Sequence, residues 1–419
     1  MELLDQSESK LASYRKYRLA NGLTVIVVQR QQTRSFNLCM KLNVGMRDGN
    51  PHVAHLVEHL LAERMSQFCE RSEYSNACTC FDSTRYLMSA HVDEFDSGLE
   101  AMKSVLLPMT ANEKQVKHEV AVLCRELSEA GLCQLVIDQE RTRILGGDKL
   151  ATRYRKAVKG MRLSIRTDEA NAFIETHYQP CNATLVISSP LNTDALVEKI
   201  AEDFGDVESS AAPAGKTKNT ELAETKKRLH SSWHAGMANV SVWHKMSGSD
   251  FFDHVSLTFL NGILGESGRL FEELRTKNSL CYGVYSDVGF FDDTCWHCAF
   301  VNIAPWKIRR AASLLNQVVE GIVDPMLEKE FENRRLTYVQ RCEILEDDHW
   351  SLITGLLRGN GVGSRLMTPQ GVKNAVLELT PQSVATFARR FFATENQHWL
   401  LSGRFDPIGF YTVKRLSSR

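Results

Sequence analysis

Residues 206–228, DVESSAAPAGKTKNTELAETKKR, are poor in large apolar side chains and rich in Ser, Ala, Thr and Lys. A stretch of that composition has little to bury and reads as an exposed linker. It lies near the middle of a 419-residue chain, which is too long to close over one hydrophobic core. The two sides of the linker partly repeat. TDEANAFIETHYQPCNATLVISS closes the first half and TPQSVATFARRFFATENQHWLLSG closes the second. Each runs through a helix, an aromatic pair position, an Asn and a buried strand, with Asn182 and Asn396 about 214 residues apart. A duplicated domain is the expected organisation: an N-terminal tail (1–14), a first domain (15–205), the linker (206–228) and a second domain (229–419).

Within the first half, hydrophobic periodicity switches between two values. YRLANGLTVIVVQRQ places apolar and β-branched residues on either side of an Asn-Gly turn, a hairpin signal, and SFNLCMKLNVG continues as a strand. From Val53 to about Phe68 the pattern is helical, TRYLMSAHV returns to a strand, and DEFDSGLEAMKSVLL and ANEKQVKHEVAVLCRELSEAGL read as helices, the second stopped at Gly131. Strands mixed with long helices, without strict alternation, predict an α+β fold of layered domains.

The 43% hydrophobic and 24% charged residues are ordinary for a globular protein. A formal charge of -1 supplies no general attraction to nucleic acid or to an anionic membrane, so neither is expected as a partner. No run approaches a membrane span, and the first residues carry no readable secretory or transit signal. Eleven cysteines at irregular spacing suit thiols kept reduced, and the cytoplasm is the expected compartment.

Against this background stands HLVEH, residues 55–59. On an α-helix His55 and His59, four apart, project from one face with Glu58 beside them. Two imidazoles so placed can hold one Zn²⁺ while the carboxylate reaches the attacking water. Chance alone would put His-x-x-Glu-His in roughly 3 of 100 chains of this composition and length, so the pattern needs a third ligand. A catalytic zinc takes three protein ligands and keeps a fourth position open, whereas a structural zinc takes four. The helix near residues 112–131 offers Glu119 and Glu126, seven apart on nearly one face beside Val116, Val120, Leu123 and Leu127; spacing does not choose between them.

These residues resemble the pitrilysin/insulinase family of inverted-zincin metallopeptidases, especially its short, processing-peptidase-like branch. EVAVLCRE is similar to the family's second motif, and the resemblance implies Glu126 as third ligand with Glu119 supporting it from behind. NACTCFDSTRY resembles the substrate-binding edge strand, implying backbone contacts at Asn76, Ala77 and Thr79. LRTKNSLCYGVYS resembles the Arg-x6-Tyr pair that meets the substrate carbonyl, here Arg275 and Tyr282. The gaps from His59 to Asn76 and to Glu126 are both shorter than in the family, and one deletion after the zinc motif accounts for both.

The resemblance implies two homologous domains forming half of a clamshell, one Zn²⁺ per chain, and a zinc endopeptidase. Glu58 would act as base, and extended peptides or precursor segments as substrate. A chain of this length implies a homodimer, or a heterodimer with a related chain. The rival reading is a non-catalytic subunit that holds substrate. Elsewhere, Cys295-Trp-His-Cys298 lies in an apolar run without a second pair and reads as core, Cys78 and Cys80 as packing residues of a strand, and His118 either as a residue that orients Glu119 or as a solvated surface histidine.

Overall fold

The computed structural model describes residues 1–418 except 157, 160–161, 210–228, 235, 266, 292–293, 325 and 360–365, so most of the expected linker lies outside the described residues. The chain divides into two compact units and crosses between them repeatedly. The first unit holds residues 1–130, 152–221 and 345–370; the second holds 131–151, 222–344 and 371–419.

The strands of the first unit are β1 (Glu2–Glu8), β2 (Ser13–Arg18), β3 (Thr24–Gln29), β4 (Ser35–Leu42), β5 (Tyr74–Thr79) and β6 (Thr84–His91). After a two-residue ribbon, β7 (Val158–Lys159) with β8 (Arg162–Leu163), comes β9 (Ala183–Ser189). The large sheet runs β1-β2-β3-β9-β4-β6-β5. Residues 1–14 are therefore not a tail. β1 pairs antiparallel with β2 from Glu2↔Arg18 to Glu8↔Ser13, and the Asp5 carboxylate accepts a hydrogen bond from the Leu366 amide at 2.7 Å. The β2–β3 turn uses Gly22 at φ 89, where a side chain would also strike Cys181.

Three helical segments of the chain brace the centre of the first unit: α1 (Pro51–Ser66), α2 (Phe95–Leu106) and the part, up to residue 130, of the run α3 (Glu113–Lys156). The α3 run has non-helical backbone at Gly131 (φ 81) and Gly147 (φ 84), and the sequence places its stop at the first of these. One face of the sheet, through Phe36 and Leu38, packs on α2, where Gly98 leaves room for both side chains. The other face, with Tyr14, Ile26, Val28, Cys39 and Val186, is covered by Leu352, Ile353, Leu356 and Leu357 of the helix His349–Gly359.

The second unit has β10 (Leu229–Trp233), β11 (Ala238–Ser247), β12 (Val284–Phe291), β13 (Thr294–Ile303) and β14 (Gln397–Gly403), in the order β10-β14-β11-β13-β12. This repeats β3-β9-β4-β6-β5, including the parallel first pair and the antiparallel remainder. The duplication extends to the covering helices. In the second unit Ile137, Ile144 and Leu145 pack on Trp243, Trp296, Cys298 and Leu400. Lys245 of β11 donates to the Ile144 carbonyl at 2.9 Å, and Lys41 of β4 reaches the Leu357 carbonyl at 3.5 Å, a lysine at the end of each covering helix. Cys295 and Cys298 point to opposite faces of β13, one into each core, as strand alternation requires.

Inside the second unit His244 and His297 are fully buried against Phe392, and neither ring nitrogen of His244 has a hydrogen-bond partner. Burial holds His244 well below the usual imidazole range and His297 down to about 3. The folded state keeps both neutral, so their contribution is complete above the unfolded value near 6.5 and is lost as pH falls. Each should cost about 2 kcal/mol of stability between pH 6.5 and pH 5. Denaturant unfolding of wild type at pH 7 and pH 5 should show this loss, and His244→Leu should flatten the pH dependence. An identical slope in both proteins would contradict the assignment.

Candidate metal centre

α1 begins with Asn50, whose side chain accepts from the His52 amide at 3.1 Å, and with Pro51 in its first turn. Val53, Leu56, Val57, Leu60, Leu61 and Met65 are buried, so the helix is packed around most of its circumference. Truncating one such residue to Ala would cost about 2–5 kcal/mol. His55, Glu58 and His59 interrupt this apolar surface on consecutive turns.

The α3 run brings Glu119 and Glu126 to them, with Val116 and Leu123 buried on the same side. Glu126 spans the two imidazoles: Oε2 lies 3.7 Å from His55 Nε2 and Oε1 lies 3.5 Å from His59 Nε2. Ligand atoms of the three residues all lie within 4.8 Å of one another. Around a tetrahedral Zn²⁺ with bonds of about 2.0–2.1 Å, ligand atoms stand about 3.3–3.4 Å apart, so the donor set and its spacing fit that ion. His59 donates from Nδ1 to Glu119 Oε2 at 3.0 Å, which leaves Nε2 as the free lone pair. Spacing alone left Glu119 and Glu126 equal; the geometry sets Glu126 against the two Nε2 atoms and Glu119 behind His59. His118 is exposed, 3.8 Å from Glu119, beyond hydrogen-bond distance.

Burial, and then the neighbouring rings of His59 and His52, hold His55 down to about 4, so it is neutral and able to ligate at pH 7. Glu58 is buried, and burial raises its carboxyl above the ordinary range, opposed by the Thr79 hydroxyl, which donates to Oε2 at 3.0 Å. This role for the Thr79 side chain is not readable in the sequence, where Thr79 stands only for backbone contact. Asn76 and Ala77 lie with it on β5, the edge of the sheet; Asn76 donates to the Tyr74 hydroxyl at 2.9 Å.

Arg275 and Tyr282 belong to the second unit. Arg275 sits in the π-type turn Glu272–Lys277, donates to the Tyr282 carbonyl, and lies 4.6 Å over the Tyr282 ring and 5.1 Å over Phe271. Between them Ser279 adopts a left-handed φ of 48, and the Tyr282 side chain is open to solvent. In this unit the helix matching α1 is Phe251–Leu264. There Gly262 leaves its side-chain position to the guanidinium of Arg334, and no second group of metal donors forms among the described residues.

Residues 164–337 match a family profile described as the peptidase M16 inactive domain. The match begins after Glu126 and so leaves the cluster of His55, His59 and Glu126 outside it, while it includes Arg275 and Tyr282. Among relatives, the zinc protease PqqE of Helicobacter pylori is 24% identical over 92% of this chain and 92% of its own length. Among solved structures, a peptidase M16 inactive domain from Pseudomonas fluorescens superposes with a TM-score of 0.79 at 17% identity, covering 94% of this chain and 98% of that one. The periplasmic protease PqqL of Escherichia coli superposes with a TM-score of 0.73 at 14% identity over the whole of this chain but only 51% of its own. The duplicated α+β units have the fold of M16-like solved structures. The protein is similar to the pitrilysin/insulinase family in both sequence and fold.

Metal-free protein titrated with Zn²⁺ should take up about one ion per chain and gain thermal stability. His55→Ala, His59→Ala and Glu126→Gln should each lower the zinc retained after dialysis. Unchanged retention in all three would place the metal elsewhere.

Proposed function

We propose that the protein is a zinc endopeptidase that cleaves extended, unstructured peptides, precursor or leader segments among them. The observation that carries this reading is the cluster of His55, His59 and Glu126 with Glu58 held beside it by Thr79. The likeness to proteins named zinc proteases supports it. Bound at the three ligands, zinc supplies Lewis-acid polarisation of a peptide carbonyl and makes water nucleophilic near neutral pH. Glu58 takes the proton of the attacking water and returns it to the leaving amine. Its raised affinity for protons suits that exchange. Glu119 fixes the tautomer and orientation of His59. Asn76 and Ala77 offer an edge strand to which substrate adds by backbone hydrogen bonds, so a folded protein, whose strands are already paired, is a poor substrate. Arg275 and Tyr282 supply donors where negative charge develops on the carbonyl oxygen. The irregular spacing of the eleven cysteines is the ground on which we place the protein in a reducing compartment, the cytoplasm.

Glu58→Gln should keep its zinc and lose peptide cleavage. Chelation by o-phenanthroline should abolish cleavage of an unstructured peptide by wild type, and a stable folded protein should stay intact. Retained activity in Glu58→Gln, or loss of its metal, would overturn the role of Glu58.

The chain corresponds to about half of the PqqL chain, and a substrate-holding rival reading finds no support in an intact ligand set. We infer a C2 homodimer in which Arg275 and Tyr282 of each copy serve the metal centre of the other. Co-refolding Glu58→Gln chains with Arg275→Ala chains should restore up to about a quarter of wild-type activity, since half the dimers are mixed and each has one intact site. No recovery despite proven mixing, or a monomer by sedimentation, would refute it.

A further inference from the structure

Cys78 and Cys80 flank Thr79, the residue that holds Glu58. Cys78 belongs to β5 and Cys80 stands just beyond its end, both of them half-buried. Alternation along the strand turns Thr79 toward Glu58 of α1 and Cys78 to the opposite face. On that face the register sets Cys78 of β5, Arg85 of β6 and Lys41 of β4 in a row across the sheet. The backbone of Cys80 is pinned on both sides. Its amide donates to the Ser83 carbonyl at 2.7 Å, and its carbonyl accepts from the Met46 amide at 3.0 Å. Its sulfur accepts a hydrogen bond from the Cys78 thiol.

These surroundings favour negative charge at the Cys80 sulfur. The hydrogen bond from Cys78 draws the Cys80 thiol down to about 6, with Arg85 and Lys41 adding to it and burial and Asp82 opposing. The same bond, and then burial, push the Cys78 thiol up, so it keeps its proton. Arg85 has no carboxylate partner among the described residues, and its buried Nε meets no acceptor. A thiol beside such a guanidinium is set up to be a reactive thiolate, whereas a metal cation there would meet like charge. The core thiols differ: burial pushes Cys39 and Cys295 up to about 12 and Cys298 well above the usual range.

We propose that Cys78 and Cys80 are a peroxide-sensitive thiol pair whose disulfide switches off the metal centre. Its consequence, though not its chemistry, rests on the peptidase reading. The Cys80 thiolate attacks one oxygen of hydrogen peroxide and the O–O bond breaks. The products are a Cys80 sulfenic acid and hydroxide, which takes from solvent the proton that the thiol had released. The Cys78 sulfur then attacks the sulfenic sulfur: an S–S bond forms, the S–O bond breaks, and the departing hydroxide takes the Cys78 proton. Two thiols and one peroxide thus become one disulfide and two waters. Residues two apart on an extended strand have Cα atoms about 6.6–6.8 Å apart, the far limit for a disulfide. Closing the bond therefore shortens the backbone across Thr79. That shifts both groups by which Thr79 holds Glu58, its hydroxyl and its amide, and distorts the strand edge offered to peptide.

In the test, zinc-loaded protein is treated with a small excess of hydrogen peroxide at pH 7, then denatured, alkylated and mapped by mass spectrometry. The fragment holding Cys78 and Cys80 should lose two hydrogens and escape alkylation, while the other cysteines are alkylated. In Cys78→Ser, dimedone should trap the sulfenic acid at Cys80; in Cys80→Ser, Cys78 should stay unlabelled. Cleavage of an unstructured peptide by oxidised wild type should fall about 10- to 100-fold with zinc content unchanged, and return after phosphine reduction. Cys80→Ser should keep its cleavage through the same treatment. An unoxidised pair in treated wild type, or labelling of Cys78 in preference to Cys80, overturns the thiol assignment. A disulfide with unchanged cleavage, or an inactivation that Cys80→Ser does not prevent, overturns the switch. A wild type that cuts no peptide even when reduced defeats the peptidase reading and the switch with it, whereas the mass readout alone decides the thiol pair.

Discussion

A carboxylate that reaches two imidazoles at once is the constraint around which the first unit is arranged. His55 and His59 are fixed relative to each other by helical geometry, so only the approach of a second helix remains to be set. The α3 run meets that requirement with two acidic residues two turns apart, Glu126 against the Nε2 atoms and Glu119 against Nδ1 of His59. Such precision needs a rigid platform. The apolar burial of α1 on most of its circumference supplies it, because a helix packed that way cannot rotate without opening cavities in the core.

Duplication gave the chain two copies of this platform and only one metal centre among the described residues. The second unit keeps the strand order, the pairing directions and the covering helix ended by a strand lysine, all of which serve the core. What differs is the polar chemistry. α1 presents His-x-x-Glu-His; the matching helix, FFDHVSLTFLNGIL, does not, and a guanidinium lies over its Gly262. Packing can be satisfied by many apolar combinations of similar volume, whereas a ligand set tolerates none of its members missing, so one copy can lose the centre and still fold. The Arg275–Tyr282 segment, with its π-type turn and left-handed Ser279, is an irregular part of the second unit.

Each unit also borrows a helix from beyond its main stretch of sequence. Residues 345–370 return to the first unit and residues 131–151 belong to the second, and each covers a sheet face that would otherwise be exposed.

Much of this was legible in the sequence because it is local or periodic. The hairpin at Asn21-Gly22, the α1 pattern, the stop at Gly131 and the repeat offset all depend on neighbours along the chain or on regular spacing, and such signals survive without knowledge of the fold. The N-terminal strand was missed because a short edge strand of polar residues pairs through its backbone, which composition does not reveal. The sequence by itself determined that two imidazoles and a carboxylate would share a helix face, and that the chain would fold as two related α+β units. Only the tertiary structure decided which oxygen faces which nitrogen, and that Thr79 would hold Glu58. Those pairings join residues far apart in the chain, and their distances are set by how helices and strands pack, which no local pattern encodes.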